Sequence, residues 1–262
     1  MKEIELEERK FLQLEMLKDI VSFCEKNNIR YCLAYGTLLG AIRHNGYIPW
    51  DDDIDIHMPR PDYNRFVQSY KSEYCYYEVL DQENTIGYNL PFAKVHDKRT
   101  VIIEDLYKQD KYGVFIDIFP IDGLKEKQQA YKSVRWRRIL NAKKAVLNKG
   151  RNFSKNIFML MAKVALIPLS EKYILKKINK IITQYDYTKC DRVCSMCSQL
   201  AYNEIYDSKL FENYIKVDFE GYKFNAPKDY DMYLRVNYGN YMQLPPKEKQ
   251  VSNHLAQAMW KI

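Results

Sequence analysis

The chain reads as an α+β protein, a mixed sheet core flanked by helices and carrying a basic helical insertion. Three observations lead there. Residues 53–58 alternate acid with aliphatic at period two, the mark of a half-buried strand. A small-residue turn at Gly36-Thr37 precedes a short apolar helical face at Leu38, Leu39, Ala41 and Ile42. Between residues 125 and 180 there are 16 Lys or Arg against two Glu (net +14), whereas the rest carries 25 basic against 32 acidic residues (net −7). At 262 residues, 47% of them hydrophobic, the chain has material for an ordinary core and does not read as disordered.

The acidic strand organises the rest. Asp51, Asp52, Asp53 and Asp55 fall within five residues, and Ile54 and Ile56 separate the later ones. Alternation puts Asp53, Asp55 and His57 on one face and Ile54, Ile56 and Met58 on the other. Same-face carboxylates two residues apart lie roughly 6.5 Å apart along a strand, close enough to share one hard divalent cation. Mg²⁺ is held in that way, by one or two carboxylates together with substrate phosphates. A solvated acidic loop does not require Ile at alternate positions. A calcium loop would need Gly at its sixth position and Glu at its twelfth, where this chain has Ile56 and Asp62. A carboxylate capping a following helix is the remaining alternative. The divalent-metal reading is preferred to all three.

Upstream, Gly36 allows close backbone approach, and free amides at a helix start favour anions, so Gly36 and Thr37 are expected to cradle phosphate. Gly46, Pro49 and Trp50 turn the chain into the acidic strand. Small-residue turn, short helix and Asp-hydrophobic-Asp strand together resemble the layout of the nucleotidyltransferase superfamily. The longer strings are more specific: G-T-L-L-G-A-I-R-H, I-P-W-D-D-D-I-D-I, M-P-R-P-D-Y from Met58, P-F-A-K-V from Pro91, V-F-I-D-I-F-P-I-D-G from Val114 and Y-G-N-Y-M-Q-L-P-P from Tyr238. In that order they resemble the LicD family, whose relatives include fukutin and fukutin-related protein.

The resemblance implies a metal-dependent transferase moving a phosphorylated alcohol from a CDP-activated donor to a glycan or lipid-linked glycan. Phosphocholine from CDP-choline, going to a cell-surface glycan or teichoic-acid precursor, is the first expectation. CDP-ribitol or CDP-glycerol is the second. From a different class, a non-catalytic adaptor for polyanions or membrane surfaces, built on the basic segment, is the third. Asp53, Asp55 and Asp117 are expected to hold Mg²⁺ (or Mn²⁺) and to carry catalysis, with Asp117 as general base on the acceptor hydroxyl. Asp117 stands among Phe115, Ile116, Ile118 and Phe119, and an unpaired carboxylate in such company is costly to bury. Arg43, His44 and Lys94 are expected to contact phosphate, although an exposed strand lysine is the ordinary alternative for Lys94. Tyr238 is assigned to substrate in a tyrosine-rich tail, because aromatic faces attract quaternary ammonium groups.

The organisation expected is a catalytic core over 1–124, a basic helical insertion over 125–215 and a tail over 216–262 that completes the catalytic part. A helix is predicted over 3–27 and a short strand over 31–35. A helix capped by Asp62 runs to about Tyr70, and two or three strands lie within 74–104. Asp122-Gly123 reads as a turn, and 125–150 as a basic helix. The apolar run 157–169 is too short to span a bilayer. It reads either as a buried helix or as one lying in the membrane interface, helped by flanking cations.

A helix follows over 172–184. Cys190, Cys194 and Cys197 share a helical face in 187–200, and buried thiols are preferred to a zinc site lacking a fourth donor. Residues 217–225 read as a hairpin turning at Glu220-Gly221, and Pro227 opens the next helix. His254 reads either as a phosphate contact or as part of a closing helix. The charged first ten residues do not resemble a cleavable signal, and six cysteines without one suggest reduced thiols. A cytoplasmic protein is expected, peripheral on the inner face of the membrane where the basic segment meets anionic lipid. No nucleic-acid motif accompanies the charge, so nucleic acid is not an expected partner.

Overall fold

The structure, a computed structural model, describes residues 1–103, 112–148, 168–251 and 257–261. It opens with strand β1 (Lys2–Ile4) and helix α1 (Leu6–Lys26), followed by β2 (Cys32–Leu33) and α2 (Tyr35–His44). Then come β3 (Asp55–Pro59), α3 (Arg60–Ser69), β4 (Tyr77–Leu80), β5 (Ala93–Asp97), β6 (Thr100–Ile103) and the long β7 (Phe115–Leu124). Helices α4 (Lys127–Asn148) and α5 (Glu171–Ile182) precede two short strands, β8 (Arg192–Cys194) and β9 (Ile205–Asp207). A hairpin of β10 (Tyr214–Phe219) and β11 (Tyr222–Pro227), helix α6 (Tyr230–Tyr238) and β12 (Gln257–Trp260) complete it. The α+β expectation is borne out.

The central sheet runs β2-β3-β7-β5-β4, with β8 joined to β7 and β9 to β8. It is mixed, since β3 and β7 are parallel while β2 on β3, and β5 and β8 on β7, are antiparallel. Ile54, Ile56 and Met58 project into the main core with Ile116 and Ile118 of β7 and Leu17 and Ile20 of α1, all fully buried. The aliphatic half of the acidic strand therefore anchors it. A second, small sheet, β1-β12-β6, ties the last described residues to the first, with Trp260 opposite Lys2.

Within the stretch read as a helical insertion, α4 and α5 pack on one another around Val134, Leu140, Ile174 and Ile178. Strands β8 and β9 belong to the central sheet. The cysteine segment is thus not a helix. Cys194 lies in β8 opposite Asp122 because its backbone finds the free end of β7, and strand pairing overrides the three-four spacing. The thiols of Cys190, Cys194 and Cys197 are buried as expected, and those of Cys194 and Cys197 donate to the carbonyls of Ala201 and Pro91.

Three local readings are corrected. Asp122 is in β7 rather than a turn, and its buried carboxylate takes two hydrogen bonds from Arg60, at 2.6 and 3.0 Å. Asp62 lies in the first turn of α3 instead of capping it and accepts from Arg30. Helix α6 starts at Tyr230, capped by the Asp229 carboxylate, not at Pro227, which closes β11. The hairpin turn stands where predicted, with φ of +50° at Glu220 and +79° at Gly221. Most of the apolar run 157–169, and His254, lie outside the described residues. Among those described, no helix is long and apolar enough to cross a membrane.

Candidate active site

The parallel pairing of β3 with β7 sets Asp55 opposite Asp117, and the antiparallel pairing of β5 with β7 sets Lys94 opposite the same residue. Asp55, Asp117 and Lys94 therefore form one row across three adjacent strands, on the face opposite the aliphatic core. Neighbouring strands are about 4.8 Å apart, which is the distance scale of the row. The Lys94 ammonium meets the Asp117 carboxylate at 2.5 Å, with the Phe115 ring beneath the ammonium at 3.3 Å. Lys94 is buried, so the exposed-lysine alternative falls away.

Helix α2 brings its first turn to the start of β3. The Thr37 hydroxyl accepts the Asp55 amide at 2.8 Å, and the Ala34 amide donates to the Asp55 carbonyl at 3.0 Å. Thr37 is buried, so its side chain locks the backbone that presents Asp55. Gly36 is needed for a different reason. A Cβ at that position would collide with Asp51 Oδ2, so the Asp51 carboxylate keeps its place only with glycine there.

The acidic run divides by direction. Asp52 turns inward to Arg9 of α1 at 3.0 Å, while Gln13 donates to its carbonyl at 3.1 Å. Asp51, Asp53 and Asp55 instead line an open cleft of about 660 Å³ with Tyr35, Gly36, Arg43, Trp50, Tyr238 and Tyr241 among its walls. Burial, then the charge of Asp53, pushes the Asp51 carboxyl up to about 7. Burial, then Asp53 and Asp117, pushes Asp55 well above the usual carboxylate range. Carboxylates that resist ionising side by side are held by a cation or share protons.

The donor set fits a hard divalent ion. Ligand oxygens of Asp51, Asp52 and Asp53 come within 4.8 Å of one another, all are carboxylate, and Asp55 and Asp117 adjoin them. With Asp52 engaged by Arg9, the cleft-facing Asp51, Asp53 and Asp55 are the better-placed ligands, and Asp117 follows through the strand register.

The remaining predicted residues are placed as follows. Arg43 lines the cleft and is steadied by a 2.7 Å hydrogen bond from its Nη1 to the Tyr241 carbonyl. His44 sits behind it, accepting from Arg43 Nε at 2.9 Å and packing against Trp50; burial and the neighbouring guanidinium hold its imidazole below the usual range. Tyr238 lines the cleft wall. The sequence-based assignment omitted Asp51, Tyr35, Trp50 and Tyr241. Asp51 continues the i, i+2 series of Asp53 and Asp55, a signal that was available. Tyr35 carried none: it opens α2 with φ of +42°, a sparsely populated backbone region for a tyrosine. It is held there by its amide donating to Tyr233 Oη at 3.1 Å and its hydroxyl lying 2.8 Å from Ser195 Oγ and Glu204 Oε2.

A carboxylate row on a mixed sheet beneath the first turn of a short helix defines a nucleotidyltransferase-type site, and residues 28–162 match the family described as LicD/FKTN/FKRP, nucleotidyltransferase domain. The lipopolysaccharide cholinephosphotransferase LicD of Haemophilus influenzae is 33% identical over 98% of this chain and 99% of its own length. An uncharacterised protein of Rickettsia typhi is 34% identical over 48% of this chain and 40% of its own. Human ribitol 5-phosphate transferase FKRP is 45% identical over 42 residues, which are 16% of this chain and 8% of that protein. The chain belongs to the LicD family. It is a phosphotransferase, and the expectation of an enzyme rather than an adaptor is borne out.

Proposed function

We propose that this chain transfers phosphocholine from CDP-choline to a hydroxyl of a cell-surface glycan, such as lipopolysaccharide, with Mg²⁺ as its cation. The observation that carries the reading is the meeting, in one cleft, of the Asp51-Asp53-Asp55 carboxylates with the rings of Tyr35, Trp50, Tyr238 and Tyr241. A trimethylammonium group is attracted to aromatic faces and to anions at once, and a diphosphate requires the opposite charge. A choline diphosphate donor asks for both. The similarity to a lipopolysaccharide cholinephosphotransferase over nearly the whole chain supports phosphocholine as the group moved and a glycan as its acceptor.

When bound between these carboxylates, Mg²⁺ would neutralise charge gathering on the donor's phosphoryl oxygens. The chain's own residues do the rest. Arg43 binds donor phosphate, and Gly36 and the amides of the first α2 turn approach its oxygens. The acceptor oxygen attacks the phosphorus next to choline, a P–O bond to it forms, and the P–O bond to CMP breaks with its electron pair on CMP. The acceptor's proton passes to Asp117, whose carboxylate the Lys94 ammonium holds in place. The basic stretch 125–180 suits an anionic inner membrane face, where a lipid-linked acceptor would be met.

A second reading, CDP-ribitol or CDP-glycerol as donor, is favoured by the likeness to ribitol 5-phosphate transferase. Calorimetry against the three donors with Mg²⁺ decides. CDP-choline is expected to bind most tightly and to yield CMP with a glycan acceptor. Preference for CDP-ribitol would replace the first reading by the second, and heatless titrations with all three would remove both. Asp117→Asn is expected to keep donor binding and lose transfer; full turnover in that variant would take Asp117 out of the base role.

A further inference from the structure

Helix α4 carries a cation that its surroundings leave unanswered. Ala130, Val134 and Leu140 of α4 are buried, and Ser133 Oγ donates to the Met196 carbonyl at 2.8 Å. Arg137 falls on the same three-four stripe and is half-buried there. Its Nη1 is buried with no hydrogen-bond partner. The groups that act on it electrostatically are Cys197, Tyr35 and Glu204.

Glu204 is the acid that acts on it, but its oxygens are already engaged. Oε2 takes the Tyr35 hydroxyl at 2.8 Å and Oε1 takes the Ser198 hydroxyl. Burial pushes the Glu204 carboxyl up, toward its neutral form, and pulls the Arg137 guanidinium down. A buried donor without an acceptor costs about 1–3 kcal/mol, more when it is charged. Such a group in a binding protein marks a place for a ligand atom. Tyr35 connects it to the cleft: the residue lines the cavity with Asp51, Asp53 and Asp55, and its hydroxyl ends at Glu204, whose charge acts on Arg137.

We infer that Arg137 binds a phosphoryl oxygen of a substrate entering over Tyr35, so that the basic insertion completes the active site. The inference rests on the phosphotransferase reading above and adds the residue. Two sources share this chemistry, the donor's diphosphate and a phosphate on the acceptor glycan. A guanidinium suits either, since it offers paired donors to phosphate oxygens.

The test uses the full chain, inorganic pyrophosphate and a chelator to remove divalent ions, read as the shift in thermal midpoint. Wild type is expected to be stabilised. R137M is expected to melt no lower than wild type without ligand, because an unanswered charge has been removed, and to lose most of the pyrophosphate shift; R137K is expected to recover part of it. In turnover, the KM of one substrate is expected to rise about tenfold, the scale of one lost charge-assisted contact, with kcat changed far less. Whichever KM rises names the source. An undiminished pyrophosphate shift in R137M, with both KM values unchanged, would make Arg137 a packing residue. Should R137M not fold, R137K is read in its place, and an unaltered shift and unaltered KM values there overturn the assignment equally. Donor calorimetry keeps the two readings apart: failure to bind any CDP-alcohol, with the Arg137-dependent shift intact, would sink the donor and not this residue.

Discussion

Asp55 and Asp117 face each other as register partners on parallel strands β3 and β7, although 62 positions of sequence separate them. Burial, then the charges of Asp53 and Asp117, pushes the Asp55 carboxyl well above its usual range. A site that holds like charges in this way is less stable than it would be without them, and what it gains is affinity for a cation and for charge that develops during transfer.

Replacing Asp55 or Asp53 by Asn should therefore separate stability from activity. Transfer is expected to fall by roughly a thousandfold or more, while the thermal midpoint of the metal-free protein stays level or rises. Measuring CMP release beside a melting curve for D55N and D53N checks both. Normal turnover in either variant, or wild-type turnover undiminished in chelator, would end the metal reading.

Gly36→Ala tests the close approach to Asp51. A helical alanine is favoured over glycine by roughly 0.5–1 kcal/mol, so the fold should not suffer. The added methyl, 2.4 Å from Asp51 Oδ2, must push that carboxylate aside. The expected result is a weaker Mg²⁺ requirement curve, its midpoint moved up about tenfold, at unchanged melting temperature. An unmoved midpoint would show that Asp51 does not contribute to the ion.

Thr37→Val removes the hydroxyl that accepts the Asp55 amide and leaves a buried N–H without a partner. A loss of about 1–3 kcal/mol in stability is expected, together with slower transfer from a less firmly held Asp55. Thr37→Ser keeps the acceptor and should restore most of both. A Thr37→Ser variant no more stable than Thr37→Val in denaturant unfolding would show that the hydroxyl does not carry the effect.

His96 supplies a pH dependence away from the acidic cluster. Its Nδ1 accepts the Gly113 amide at 3.1 Å, and burial, then Lys261, holds its imidazole down at about 4. The ordinary value of about 6.5 applies to the unfolded chain, so the unfolded state takes up the proton first. The contribution is complete above pH 6.5 and is lost as pH falls toward 4, an amount of roughly 3 kcal/mol. Stability measured from pH 7 to 4 should drop less steeply in His96→Asn than in wild type, and a histidine titrating near 4 should appear by NMR. A ring titrating near 6.5 would contradict the burial argument.

The order of certainty along the chain follows how local each signal is. The alternation Asp53-Ile54-Asp55-Ile56 announces a strand with one wet and one dry face, because successive side chains of extended backbone point opposite ways. The Glu220-Gly221 turn and the α1 and α4 helices are local in the same sense. Cys190, Cys194 and Cys197 misled because three-four spacing is also met by chance, and an unpaired edge on β7 decided their conformation. Asp122 read as a turn for want of its partner Arg60, which is distant in sequence.

From its sequence by itself, then, this protein discloses its family, its acidic strand, the small-residue turn before it and the concentration of positive charge in 125–180. Only the tertiary structure decided which carboxylates look outward: Asp51 lines the cleft, whereas Asp52, its neighbour, is claimed by Arg9. The same is true of the row Asp55-Asp117-Lys94 and of the burial of Arg137 Nη1 without a hydrogen-bond partner. The reason is that periodicity assigns a side chain to a face, but strand register and helix docking assign it a neighbour, and those depend on contacts made across the whole chain.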